Sequence, residues 1–146
     1  MGVLMVTVGQ LLEKKGHDLY CVAPEEPVLR AMEIMATREV GALLVMDGGE
    51  MVGVISERDY ARKVILMNRS SRDTPVRDIM SSPVLSVAPE DTIHHCMEVM
   101  TGKRVRHLPV VAGGKVLGVL SIGDLVKALL NEQSEQIQQL QRYIAG

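Results

Sequence analysis

The sequence predicts a mixed α/β fold of the α+β kind, one β-α-β-β-α unit written twice and packed as a pseudo-twofold pair. Three observations predict it. Displaced against itself by 65 residues, the chain lays Val22–Ile65 on Val87–Leu130 without a gap. Each copy carries an apolar stripe at helical spacing, then two short apolar runs divided by Gly-Gly. Over 146 residues, 47% hydrophobic and 23% charged residues fit a globular chain that can bury a core.

The elements follow in order. Residues 1–21 read as an N-terminal lead-in helix and turn, in which Val8, Leu11 and Leu12 resemble Val76, Ile79 and Met80. The first repeat spans 22–67. It opens with Val22-Ala23-Pro24-Glu25, matched by Val87-Ala88-Pro89-Glu90, and each opening is read as a short strand. Val28, Ala31, Met32 and Met35 then fall at i, i+3, i+4 and i+7, as do Ile93, Cys96, Met97 and Met100, so each repeat has an amphipathic helix. Pro27 suits the first turn of the first helix, and Asp91 or Thr92 can cap the second. The runs Ala42–Met46 and Met51–Ser56 flank Gly48-Gly49, and Leu108–Val111 and Val116–Ser121 flank Gly113-Gly114, where glycine supplies the positive φ of a hairpin turn. A second helix is expected from about Glu57 to Met67 and again from about Gly123 to Leu130. Residues 68–83, rich in Ser, Arg, Asp and Pro, read as a linker holding the lead-in to the second repeat, which spans 84–130. Residues 131–146 read as a C-terminal helix, with Leu130, Ile137, Leu140 and Ile144 in a stripe near heptad spacing that packs on its own domain or forms a dimer contact.

Composition excludes several functions. Sixteen Lys and Arg against 18 Asp and Glu leave a net charge of −2, and three tyrosines are the whole aromatic content, so neither a basic face nor a stacking platform for nucleic acid is expected. Ten methionines read as core filler. No run approaches the 18 or more apolar residues of a membrane span, and Met1–Val6 is too short for a signal segment. With Cys21 and Cys96 expected as free thiols, the reading is a cytoplasmic protein.

Each hairpin ends in Gly-h-h-Ser-x-x-Asp, with h aliphatic: Gly53-Val54-Ile55-Ser56-Glu57-Arg58-Asp59 and Gly118-Val119-Leu120-Ser121-Ile122-Gly123-Asp124. Ser-x-x-Asp before a helix is first a capping pattern. The same geometry offers a hydroxyl and free N–H groups to phosphate oxygens. A carboxylate one turn in can accept the two hydroxyls of a ribose, and the glycine lets a flat ring approach the backbone. Phosphate and diol together describe a nucleotide.

These paired motifs, the Val-Ala-Pro-Glu openings, Arg106-His107-Leu108-Pro109-Val110-Val111 and Val76-Arg77-Asp78-Ile79-Met80 make the sequence resemble the CBS-domain family, as a stand-alone tandem pair or Bateman module, from about Val8 to Leu130. The resemblance implies a regulatory module that binds adenosine-containing ligands in the clefts between two repeats, and a homodimer that signals to a separate effector protein, here unknown. Carried over by position, Asp59 and Asp124 hold ribose, Ser56 and Ser121 lie near the ribose or first phosphate, and Val22 and Val87 lie beside adenine. Gly53, Gly118 and Pro109 belong to the same set. Arg58 in the first repeat and Arg106 and His107 in the second are the expected phosphate readers; Arg38 is counted with them. These cations favour AMP, ADP, ATP or NAD over S-adenosylmethionine. No catalytic cofactor is expected.

Other constellations are weak. His94, His95 and Cys96 are consecutive on a helix and point in different directions, so neither a metal site nor a nucleophile is expected there. No nucleophile–base pair is evident, and the chain is not read as an enzyme. The alternative is a structural or partner-binding module in which the same residues only cap helices.

Overall fold

A computed structural model describes residues 6–145, so the reading of Met1–Met5 as no signal segment lies outside the described residues. The chain forms two compact bodies, one of Leu19–Val84 and the other of residues 6–18 with 85–145.

In the first body a three-stranded sheet of order β1-β2-β3 joins β1 (Cys21–Val22), β2 (Ala42–Asp47) and β3 (Glu50–Ser56). The β1–β2 pair is parallel and the β2–β3 pair antiparallel. Helix α2 (Val28–Arg38) buries Val28, Ala31 and Met35, three of the four side chains its periodicity singled out, and Met32 is partly buried against the same core. They pack with Val22, Leu43, Val45, Ile55 and Val64. The helix stops where Glu39 adopts a left-handed φ of 56°, and the Val40 N–H returns to the Met35 carbonyl. Gly48 and Gly49 both have positive φ, the requirement of a tight two-residue hairpin.

The second body repeats this design with one fewer strand. Here β4 (His107–Ala112) and β5 (Lys115–Ser121) form a two-stranded sheet, and the expected opening strand is reduced to a single parallel bridge between Val87 and Val110. Helix α4 (Ile93–Lys103) buries Ile93, Cys96 and Met100 and ends at Arg104 with φ 56°, the counterpart of Glu39. Its cap is Thr92, whose hydroxyl accepts from the His95 N–H, while Asp91 accepts from the Ala88 N–H.

The helices after the hairpins differ from expectation. In the first body α3 (Glu57–Tyr60) gives way to a wider π-helical turn, Ala61–Ile65, that seats Val64 in the core. In the second, α5 runs unbroken from Ile122 to Ala145, so the separately expected C-terminal helix is its continuation.

Each lead-in packs into the core of the other repeat rather than the one it precedes in sequence. Helix α1 (Val8–Lys15) packs Val8 and Leu12 into the core of the second repeat. The 3-10 turn Val76–Asp78 and Ile79, expected to lead into the second repeat, pack into the core of the first. Both dock alike. The N–H groups of Val76 and Arg77 donate to the carbonyls of Glu26 and Pro24, and those of Val8 and Gly9 to Asp91 and Pro89. Each lead-in therefore satisfies the turn of a Pro-Glu opening that lies far from it in sequence.

Candidate functional site

Antiparallel pairing sets Ser56 opposite Ala42 and Ser121 opposite His107, so each motif serine sits where the last strand of a hairpin becomes a helix. Both serines cap. The Ser56 Oγ accepts from the Asp59 N–H at 3.2 Å, and Asp59 Oδ2 accepts from the Ser56 N–H at 2.9 Å and its hydroxyl at 3.0 Å. Ser121 and Asp124 repeat the box at 3.2 and 2.8 Å. Both carboxylates are largely buried, the Asp59 side chain 14% and the Asp124 side chain 24% exposed, at a helix N-terminus, where negative charge is favoured.

Each carboxylate also meets a lysine that the sequence did not single out. Lys63 Nζ lies 3.3 Å from Asp59 Oδ1 and donates to the Ile79 carbonyl at 2.9 Å. Lys15 Nζ lies 2.6 Å from Asp124 Oδ2 and also donates to the Val119 carbonyl. The i, i+4 spacing of Asp59 and Lys63 was a legible signal. Lys15 carried none, because nothing local ties the first lead-in to the second repeat. Beside it, His17 Nδ1 donates to the Leu117 carbonyl at 2.8 Å. Burial alone would raise the Asp124 carboxyl, but the Lys15 hydrogen bond and charge, with hydrogen bonds from Ser121, hold it below its ordinary value.

The structure brings some of the expected residues together and sends others elsewhere. The Arg106 carbonyl accepts from the Ile122 N–H at 2.8 Å, which places Arg106 and His107 at the start of the strand beside Ser121. Arg58 is half-buried within the first box. Arg38 instead stacks its guanidinium over the Tyr20 ring at 5.2 Å and, with Tyr20, Cys21 and Arg30, lines a cavity of about 290 Å³ that neither Ser56 nor Asp59 borders.

Two pairs expected to meet a ring are buried, and Pro109 with them. A Cβ on Gly53 would lie 2.5 Å from the Met80 sulfur, and one on Gly118 2.7 Å from Leu12 Cδ2. The room that these glycines leave is filled by the lead-in side chains rather than left open to a flat ligand. Val22 and Val87 are core side chains, so only their main chain can face a ligand. Pro109 is buried too, its carbonyl accepting from the Val87 N–H at 3.0 Å.

Among the described residues no three His, Cys, Asp or Glu side chains gather closely enough to hold a metal ion. His94 pairs with the buried Glu132 at 3.2 Å. No helix among the described residues is long and apolar enough to cross a membrane.

Comparison with known proteins comes down on one family. The CBS-domain model matches residues 8–66 and 76–131. The chain is 37% identical to the Arabidopsis thaliana protein named CBS domain-containing protein CBSX3, mitochondrial, over 99% of this chain and 75% of that one. A solved candidate signal-transduction protein with CBS domains from Burkholderia ambifaria MC40-6 is 46% identical, with a TM-score of 0.84 over 88% of this chain and 96% of the other. At 19% identity the fold is shared with the CBS domain pair of protein MJ0100, solved in complex with 5′-methylthioadenosine and S-adenosyl-L-methionine, with a TM-score of 0.78 over 88% of this chain and 99% of the other.

Proposed function

This chain belongs to the CBS-domain family and carries the domain twice, and from that premise we propose that it is a non-catalytic regulatory module binding an adenosine-containing nucleotide, AMP, ADP, ATP or NAD. The observation that carries the reading is the doubly written cap, its carboxylate largely buried and its lysine more exposed: Ser56, Asp59 and Lys63, and Ser121, Asp124 and Lys15. A nucleotide brings a cis-diol that a carboxylate accepts and a phosphate that an ammonium attracts, so each ion pair can be exchanged for the two ends of one ligand. Arg58, Arg106 and His107 stand near enough in sequence and fold to add to the phosphate side, which an S-adenosyl sulfonium would not use. That protein MJ0100 was solved with adenosyl compounds supports the adenosine part alone.

A bound nucleotide acts by preferring one of two states of the module, in a homodimer read by a separate effector protein. Two free thiols suit a reducing compartment, the cytoplasm in this reading. The second reading, a structural or partner-binding module without a nucleotide, is favoured by the completeness of both capping boxes and by the filled space over Gly53 and Gly118.

Thermal melts of wild type, Asp59→Asn and Asp124→Asn with each nucleotide decide between them. At a hundredfold excess over Kd, binding adds about 2.7 kcal/mol, or roughly 5–10 °C for a chain of this size. A shift for one nucleotide that one Asn variant abolishes while still folding supports the proposal. No shift with any nucleotide, on protein refolded free of carried-over ligand, supports the second reading.

A further inference from the structure

The first body holds a cavity of about 290 Å³ that the nucleotide reading leaves unused, since neither Ser56 nor Asp59 borders it. One side is a face of α2. Arg30, Ile34, Thr37 and Arg38 stand at i, i+4, i+7 and i+8, spacings that put four side chains on the same side of a helix. The start of β1 and the two residues before it, Leu19, Tyr20 and Cys21, supply the rest of the lining. A volume of this order is at the low end of sites that take small molecules.

The charge of the cavity has one sign. Two guanidiniums line it and no carboxylate does. Among the described residues neither Arg30 nor Arg38 lies within ion-pair distance of an acidic side chain, although Glu33 stands three residues on from Arg30 in the same helix. The Arg38 guanidinium lies 5.2 Å from the centroid of the Tyr20 ring. Stacking uses the face of a guanidinium and leaves its N–H edge free to donate. That edge matches the paired oxygens of a carboxylate or phosphate.

Arg30 and Arg38 are about two helical turns apart, roughly 12 Å along the axis. An occupant that satisfies both therefore carries two anionic groups, and Ile34, midway along the helix between them, suits an aliphatic spacer. We propose that this cavity binds a small organic dianion, two carboxylates or a carboxylate and a phosphate joined by a short aliphatic chain, with Arg30 and Arg38 each holding one end. The inference is independent of the nucleotide reading and stands whether or not a nucleotide binds. Bound there, the dianion ties the start of β1 to α2 and stabilises the first body through linkage.

Cys21 supplies the readout, because its exposed thiol lines the cavity while Cys96 is buried in the core of the second body. Full-length protein is alkylated with iodoacetamide, a neutral reagent, at pH 8 and constant ionic strength, in the presence of succinate, glutarate, 2-oxoglutarate or 3-phosphoglycerate. At least one of them should slow alkylation of Cys21 about tenfold when present at ten times its Kd, as occupancy that shields the thiol requires. The neutral diamide of succinate or glutarate should not. Arg30→Gln and Arg38→Gln each remove one guanidinium from an exposed position, so folding is preserved. Each should raise the concentration for half-protection about tenfold or more, as loss of a charged hydrogen-bond partner does. Ligand-observed NMR on the same samples registers a dianion that binds without covering the thiol, and the same loss in both variants is then the supporting result. Absence of binding by all four dianions up to about 10 mM, far above the range of a specific site, would overturn the proposal. So would binding undiminished in both glutamine variants, or inorganic phosphate or AMP protecting Cys21 as well as the best dianion.

Discussion

Lys15 Nζ lies 2.6 Å from Asp124 Oδ2, so the last turn of the first helix closes on the capping carboxylate of the last. Although burial pushes the Asp124 carboxyl up, Lys15 and Ser121 outweigh it and leave it below the ordinary 3.8. A carboxylate with a lowered folded value stabilises the fold above its unfolded value and loses that contribution as pH falls through the folded one. Lys15→Met keeps the apolar stem and removes the charge. At pH 7 it is expected to cost on the order of 0.5–1 kcal/mol, as befits a partly exposed pair. Urea midpoints should show the gap to wild type narrowing as pH drops below 3.8. A gap unchanged at pH 2 would assign the loss to packing instead.

Leu12 occupies the space beside Gly118, as Met80 does beside Gly53. A methyl group on Gly118 would overlap Leu12 Cδ2, and Gly118→Ala is expected to destabilise by about 1–3 kcal/mol. Leu12→Val shortens the intruding side chain. The double variant should then be more stable than the sum of the single effects predicts, with a coupling of about 0.5 kcal/mol or more in a double-mutant cycle. Additive effects would mean that the two residues do not compete for this space.

Local pattern made much of this legible. Val28, Ala31 and Met35, with Ile93, Cys96 and Met100, are buried as the helical spacing required, and the Gly-Gly turns have the positive φ that the hairpins demanded. Ser56–Asp59 and Ser121–Asp124 are capping boxes because that pairing spans only three residues. What sequence could not reveal is which repeat each lead-in serves. Val8 and Val76 occupy equivalent places by pattern, and only tertiary packing sends the first to the second repeat and the second back to the first. Lys15 was missed for that reason, and Gly53 and Gly118 were read as open to a ligand because Met80 and Leu12 had no visible claim on the space.

The two cysteines should differ sharply in reactivity. Burial, and next to it the charge of Asp91, pushes the Cys96 thiol up to about 11, and its side chain is wholly buried. Only about one molecule in a thousand carries that thiolate at pH 8, since each unit below the pKa is a factor of ten. Cys21 is exposed, and its thiol is raised only by partial burial. A thiol reagent at pH 8 should modify one cysteine per native chain, at Cys21, and reach Cys96 only as the second body opens. Two equally fast reactions would contradict the buried place of Cys96 in that core.

Loss of the capping hydroxyls should cost stability separately from any ligand effect. Ser56 caps the short α3 and Ser121 the long α5, each through an Oγ that accepts the N–H of its aspartate. Replacement by Ala leaves that N–H without its partner and is expected to cost about 1 kcal/mol at each site. The two boxes share no partner, so the double variant should lose the sum. Threonine offers the same hydroxyl from a backbone that is extended at Ser56, with φ −126° and ψ 164°, and Ser56→Thr should recover most of the loss. Chemical denaturation of the alanine and threonine variants measures this directly. If threonine is as damaging as alanine at position 56, the serine matters for its size rather than its hydrogen bond, and the cap is not what holds Asp59 in place.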